Sequence, residues 1–87
     1  MILIKNGRMI DPLSKTDGQF DILIDGENVV KIDRNIEKTD GVKLIDASGC
    51  IVCPGLIDVH CHFRDPGFTS KEDIYTGAKS AARGGYT

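Results

Sequence analysis

The chain has 87 residues, 40% of them hydrophobic and 28% charged, with a formal net charge of −2. This ordinary, slightly acidic composition gives no electrostatic reason to expect nucleic acid or an anionic membrane as a partner. No apolar run approaches the roughly 20 residues that cross a bilayer, and the start lacks the basic and apolar segments of a signal peptide. We therefore expect a cytoplasmic protein without a nucleic-acid or membrane partner.

The first part of the chain, residues 1–53, has the pattern of short strands separated by turn signals. Asn6-Gly7 and Asp25-Gly26 are strong two-residue hairpin signals, because these residue types tolerate a positive φ. We predict five or six strands, paired as successive hairpins, in a small antiparallel or mixed sheet. The predicted strands are residues 2–5, 8–10, 20–24, 29–32, 43–46 and 50–52.

The pattern changes after residue 53. Residues 56–63 are predicted to form a strand, and residues 70–83 a helix that Gly84-Gly85 ends. Thr69 and Glu72 have the spacing of a capping box at the start of this helix. One strand and one helix cannot cover both faces of the strand, and a complete eight-fold βα barrel needs about 250 residues. The chain is therefore predicted to be a piece of a longer one.

Residues 58–64, with the sequence DVHCHFR, carry the groups best suited to chemistry. Because side chains alternate faces along a strand, Asp58, His60, His62 and Arg64 are expected on one face. Two imidazoles at this spacing can converge on one zinc ion, although further ligands must come from elsewhere. Asp58 could orient a ligating histidine, and Arg64 could grip a carboxylate. A His-x-His pair alone is a weak signal, but four polar groups on one face favour a common site.

The cysteines leave a second interpretation open. Cys50-x-x-Cys53 has the spacing of half a structural zinc site, which His60 or His62 could complete. These two cysteines flank a strand end, however, and no second cysteine pair follows. We expect them, with Cys61, to be small buried hydrophobes. Their odd number argues against a disulfide framework and favours a reducing compartment.

The run from Pro54 to Gly67, PGLIDVHCHFRDPG, resembles the first barrel strand of the amidohydrolase superfamily. The His-x-His pair is shared widely there, whereas the continuation into Arg-Asp-Pro-Gly is similar to dihydroorotases of the long bacterial type. Residues 1–53 resemble part of the accessory β-sandwich of that family. Residues 54–87 resemble the first strand and helix of its metallo-dependent hydrolase barrel. The implied fold class is mostly β: a partial amidohydrolase β-sandwich, followed by the first βα unit of an incomplete TIM (β/α)8 barrel.

The resemblance implies a zinc-dependent cyclic amidohydrolase, a dihydroorotase, with one or two zinc ions. His60 and His62 would bind zinc, and Arg64 would pair with the carboxylate of the substrate. Asp58 would orient a metal-ligating histidine without contacting the metal itself. The implied small-molecule substrates are dihydroorotate and N-carbamoyl-L-aspartate, in pyrimidine biosynthesis. The other ligands and the catalytic aspartate belong to later strands of the family. No catalytic residue is therefore assigned within this chain, and the isolated 87 residues are expected to be inactive.

Three other functions compete with this one. A hydantoinase- or allantoinase-type cyclic amidase would share the strand but usually lacks an arginine at the place of Arg64. A non-catalytic dihydroorotase-like partner of aspartate transcarbamoylase typically loses the metal histidines, so His60 and His62 argue against it. A free-standing binding module would leave apolar faces exposed. Two assemblies are compatible with the sequence: a homodimer and a complex with aspartate transcarbamoylase.

Overall fold

The structure is a computed structural model, which describes residues 1–61, 67, 70 and 73–87. The chain forms two compact units, Met1–Pro54 and Gly55–Thr87. Among the described residues, five strands lie in the first unit and one helix lies in the second. The mostly-β class that the sequence predicts is confirmed. The assignment of residues 1–53 to an accessory sandwich and of 54–87 to a barrel remains a prediction.

The first unit is a single mixed sheet built around its first strand. Strand β1 pairs antiparallel with β2, and β2 pairs antiparallel with β3. Strands β4 and β5 both pair with β1 in the parallel direction, so the sheet order is β3-β2-β1-β4, with β5 further along β1. The strand bounds are Ile2–Asp11 (β1), Thr16–Asp25 (β2), Asn28–Asp33 (β3), Lys43–Asp46 (β4) and Ile51–Val52 (β5).

The hairpin expected at Asn6-Gly7 is wrong, because β1 continues through these residues as one strand. Lys5 and Asn6 together oppose the single residue Asp21 of β2, which makes this point a β-bulge. Asn6 has a φ of 68°, a positive value that asparagine tolerates better than most residues. The expected tolerance of Asn6 for a positive φ is therefore confirmed, but this conformation produces a bulge and not a turn.

The hairpin expected at Asp25-Gly26 is confirmed. Gly26 and Glu27 form a two-residue connection, and Asp25 pairs with Asn28 across it. Gly26 has a φ of 60°, which a residue without a Cβ adopts at little cost.

The third expected hairpin, between residues 43–46 and 50–52, is wrong. The N–H of Ala47 donates to the carbonyl of Lys5 at 2.8 Å, and the N–H of Arg8 donates to the carbonyl of Cys50 at 3.0 Å. These bonds hold the link between β4 and β5 against β1. The two strands therefore follow one another along the same neighbour and do not pair with each other.

Gly7 lies where β1 closely approaches β5 and the link that precedes it. A Cβ at Gly7 would lie 2.5 Å from Cγ2 of Val52 and 3.1 Å from Cβ of Ala47. We expect Gly7→Ala to lower the free energy of unfolding by about 1–3 kcal/mol, the usual cost of overpacking. Gly84→Ala is the control, because a Cβ there makes contacts no shorter than 3.5 Å. Equal stability of the two variants in urea denaturation would contradict the close approach.

A buried carboxylate ties the bulge to the segment that follows β3. The Asp21 side chain is 3% exposed, and its Oδ2 accepts from Lys5 Nζ at 2.7 Å and from the N–H of Ile36 at 2.9 Å. Its Oδ1 accepts from the N–H of Asn6 at 3.0 Å. Lys5 Nζ also donates to the carbonyl of Ile36 at 2.7 Å. The network holds Ile36 in the core, where it is buried together with Leu3.

The same network makes the stability of the first unit dependent on pH. Burial alone would raise the pKa of the Asp21 carboxyl, but hydrogen bonds from Lys5, Ile36 and Asn6 outweigh it and hold this pKa below its ordinary value of 3.8. The stabilisation is therefore fully present above the ordinary pKa and is lost as the pH falls through the lower, folded-state pKa. We expect the free energy of unfolding to fall in acid, and to fall less in Asp21→Asn. Urea denaturation at a series of pH values tests this, and identical acid slopes would contradict it.

The helix of the second unit, α1, spans Ile74–Arg83. Asp73 caps it: its side chain accepts from the N–H of Thr76 at 2.7 Å, and Thr76 Oγ1 accepts from the N–H of Asp73 at 3.0 Å. The expected start at residue 70 is wrong, because Asp73 has an extended backbone with a ψ of 175°. The capping pair expected at Thr69 and Glu72 lies outside the described residues.

The expected end of α1 is confirmed at Gly84, whose N–H donates to the carbonyls of Ser80 and Ala81, each at 3.1 Å. Within the described part of the chain, no helix is long and apolar enough to cross a membrane.

Candidate metal site

The segment that carries the candidate metal ligands begins at a short parallel pairing in the second unit. The N–H of Leu56 donates to the carbonyl of Gly85 at 2.8 Å, and the N–H of Thr87 donates to the carbonyl of Leu56 at 2.9 Å. Leu56 and Tyr86 thus form a parallel bridge. Gly55 permits this approach, because a Cβ there would lie 2.6 Å from Oγ1 of Thr87.

The strand expected over residues 56–63 is not formed in its described part, 56–61. Leu56 makes the bridge, but the chain bends at Val59 and His60. A parallel strand is held by hydrogen bonds to neighbouring strands, and the described residues offer it only the short pairing with residues 85–87. Strand alternation therefore does not place Asp58 and His60 on one face in the described residues.

Asp58 and His60 are both exposed, and a local hydrogen bond joins them. Asp58 Oδ1 accepts from the main-chain N–H of His60 at 3.1 Å. We expected this carboxylate to orient the imidazole of a ligand. The hydrogen bond between these two described residues runs to the main chain of His60, and the role of Asp58 in orienting a metal ligand stays a prediction. The proposed ligand therefore lies on a turn that its neighbouring aspartate stabilises.

His62 and Arg64 lie outside the described residues, so their places beside His60 remain predictions. In residues 1–61 and the described positions that follow, no group of three or more His, Cys, Asp or Glu side chains could hold a metal ion. Two imidazoles still suit zinc chemically, since neutral histidine nitrogen is one of its usual ligands. His60 and His62 would therefore fit part of a zinc site, and the described residues supply no group that completes it.

The structure gives no support to a structural zinc site at the cysteines. Cys50, Cys53 and Cys61 are free thiols and all are exposed, so the expectation that they are buried hydrophobes is wrong. Cys50 and Cys53 flank the two residues of β5, and an extended chain separates positions three apart by about 10 Å. They are exposed because β5 is a short strand with few neighbours to cover its ends.

Comparisons with known proteins agree with the resemblance carried by residues 54–67. The family described as Dihydro-orotase-like matches residues 49–87. The dihydroorotase of Clostridium acetobutylicum is 68% identical over all 87 residues, which cover 20% of its length. The dihydroorotase of Clostridioides difficile is 61% identical over the same 87 residues, 21% of its length. The chain matches the N-terminal fragment of a bacterial dihydroorotase.

A solved structure is similar to this chain in fold as well as in sequence. The crystal structure of dihydropyrimidinase from Brevibacillus agri is 40% identical, has a TM-score of 0.82, and is matched over 98% of this chain and 18% of its own. The sheet of the first unit is therefore consistent with the N-terminal part of an amidohydrolase β-sandwich. The chain spans about a fifth of the length of the curated dihydroorotases that it matches.

Proposed function

We propose that the full-length protein containing this segment is a zinc-dependent dihydroorotase. It would interconvert (S)-dihydroorotate and N-carbamoyl-L-aspartate in cytoplasmic pyrimidine biosynthesis, on a TIM barrel that begins within residues 54–87. The observation that carries this proposal is the 68% identity to a dihydroorotase over all 87 residues. The same identity supports a metal-dependent enzyme acting on a small-molecule substrate.

His60 and His62 would hold the metal as neutral imidazoles, together with ligands from residues outside this chain. Bound zinc supplies two things to such a reaction: a water of lowered pKa and a polarised carbonyl oxygen. Metal binding requires neutral imidazoles, so zinc binding is expected to compete with protonation and to weaken in acid. The 87 residues alone would bind zinc weakly and would not catalyse.

Arg64 would recognise the carboxylate of the substrate. A guanidinium presents a planar pair of N–H donors that matches a carboxylate in a bidentate arrangement. Dihydroorotate carries such a carboxylate beside its ring, whereas simple hydantoins and dihydropyrimidines do not. Arg64 would thus select the substrate, and His60 and His62 would hold the metal needed for hydrolysis.

A second candidate function is that of a related cyclic amidase with a neutral ring substrate. The likeness to the Brevibacillus agri dihydropyrimidinase favours it, since fold and ligand pair would be common to both. Its 40% identity is well below the 68% of the dihydroorotase relative. Arg64 also argues for a substrate with a carboxylate.

Hydrolysis of dihydroorotate, hydantoin and dihydrouracil by the purified full-length protein separates the two functions, with zinc content measured on the same sample. We expect activity on dihydroorotate alone and one or two zinc ions per chain.

Arg64→Met should raise the KM for dihydroorotate, whereas the control Arg83→Met, at the exposed end of α1, should not. Preferential hydrolysis of the neutral rings would favour the second function.

The mass of the protein in solution, measured alone and with aspartate transcarbamoylase, tests whether it forms a homodimer or a complex with that enzyme.

A further inference from the structure

Asn6-Gly7, the pair that forms the bulge of β1, is also open to a covalent modification. The main-chain nitrogen of the residue after an asparagine can attack its side chain, and a glycine there has no Cβ to hinder the approach. The other two asparagines of the sequence, Asn28 and Asn35, precede valine and isoleucine, whose branched side chains do hinder it. In the unfolded chain, Asn6 is therefore the asparagine that loses its side-chain amide most readily.

The reaction converts Asn6 in two steps. The nitrogen of Gly7 bonds to the side-chain carbonyl carbon of Asn6, its proton passes to the amide nitrogen, and that nitrogen leaves as ammonia. Water then adds to one of the two carbonyl carbons of the resulting five-membered imide and breaks its bond to the ring nitrogen. Cleavage at the side-chain carbonyl gives aspartate, and cleavage at the main-chain carbonyl gives isoaspartate, whose main chain is one carbon longer.

The folded bulge opposes the first step by holding both ends of Asn6. Its N–H donates to Oδ1 of the buried Asp21 at 3.0 Å, and its Nδ2 donates to Asp46 Oδ1 at 3.3 Å. Ring closure requires the side-chain carbonyl carbon of Asn6 to move into contact with the nitrogen of Gly7. The hydrogen bond to Asp46 opposes that movement.

The main chain on each side of the pair is fixed as well. The carbonyl of Lys5 accepts from the N–H of Ala47 at 2.8 Å, and the N–H of Arg8 donates to the carbonyl of Cys50 at 3.0 Å. Gly7 itself is buried. These contacts join strands of the first unit to one another, so they belong to the sheet and do not depend on residues that follow it.

We propose that Asn6 is a site of spontaneous deamidation that the folded bulge protects and that reacts when this part of the sheet opens. The reaction is far slower than local opening and closing, so its rate follows the fraction of molecules in which the bulge is open. The product opposes closure: aspartate puts a second carboxylate beside Asp46, and isoaspartate lengthens the main chain of β1. A transient opening thus becomes permanent.

The test follows the mass of the peptide that carries Asn6 while the full-length protein is incubated at mildly alkaline pH. Folded wild type should react at least about tenfold more slowly than the same protein in guanidinium chloride, as expected if the bulge is open less than a tenth of the time. Asp21→Ala should react up to about 100-fold faster than folded wild type, because about 1.4 kcal/mol of lost stability multiplies an open population by ten. Asp17→Ala, which removes an exposed ion pair of the same strand, should react like wild type.

Equal rates in folded and denatured wild type would overturn the proposal, and so would equal rates in folded wild type and Asp21→Ala. All variants should react equally in guanidinium chloride, and a difference there would overturn the protective role by placing the effect in the chemistry itself. Asp21→Asn keeps an oxygen acceptor and should react at an intermediate rate, so it carries the test if Asp21→Ala does not fold.

The effect of the product is tested by Asn6→Asp, which creates one of the two products directly. This variant should have a lower unfolding temperature than wild type, because like charges that face each other in a sheet are destabilising. Adding Asp46→Asn should restore part of the loss, with Asp46→Asn alone as the control. An unfolding temperature that Asn6→Asp leaves unchanged would contradict the proposed opposition to closure.

Discussion

Asp21→Ala is expected to lower the free energy of unfolding of the first unit by about 3 kcal/mol, because a buried donor left without its acceptor costs about 1–3 kcal/mol. The substitution would leave the Lys5 ammonium and the main-chain N–H groups of Asn6 and Ile36 without their shared acceptor. It would also release the segment that brings Ile36 into the core. Urea denaturation, followed by the far-ultraviolet signal of the sheet, measures the effect.

Asp17→Ala is the matched control for this prediction. Asp17 is also an ion-paired aspartate of β2, and its two oxygens accept from Arg8 at 2.8 Å each. Its side chain is 54% exposed, however, whereas that of Asp21 is 3% exposed. Exposed pairs contribute roughly 0–1 kcal/mol, so this variant should be nearly as stable as the wild type. Similar losses in the two variants would show that burial of the network is not what stabilises the unit.

His60→Ala is expected to lower both the proposed zinc affinity and the proposed dihydroorotate hydrolysis of the full-length protein by more than about 100-fold. Loss of a group that merely orients a metal ligand already costs about 10–100-fold, and His60 is the proposed ligand itself. Zinc content after dialysis against a chelator and the rate of hydrolysis give two separate readouts.

Cys61→Ser is the control, because it changes the exposed residue beside His60 and removes a thiol that could also bind zinc. This variant should keep its zinc and its activity. If His60→Ala kept its zinc while Cys61→Ser lost it, the metal would belong to a thiolate site, and the proposed roles of the two histidines would be wrong.

Local sequence preferences were enough to predict some of these elements. The hairpin at Asp25-Gly26 followed from two adjacent residues, because its partner strands are joined directly by the turn. Asn6-Gly7 carried an equally strong signal, yet the chain forms a bulge there. The deciding factor is the pairing of β1 with β4 and β5, which come from residues 43–52. No local pattern around Asn6 contains that information.

The difference between local preference and long-range pairing also explains two features that the sequence does not predict: the buried network around Asp21 and the bend at the candidate site. The sequence predicts Asp21 only as part of an ordinary strand, because its partners Lys5 and Ile36 lie 16 and 15 residues away in the chain. The DVHCHFR pattern indicated the dihydroorotases to which this chain is similar. It could not indicate the bend at Val59 and His60, because alternation along a strand presupposes neighbours that the described residues do not supply.

The central position of β1 also has a consequence for how the first unit folds. Strand β1 is the first to be synthesised, but Ile2 pairs with Lys43 and Met9 pairs with Val52. The hairpin of β1 and β2 can form early, whereas one whole edge of β1 must wait until much of the unit has left the ribosome. Pairings between such distant residues are slow, since the entropy of closing the loop is lost before the contacts form. During that interval, the open edge of β1 can pair with the edge of another chain.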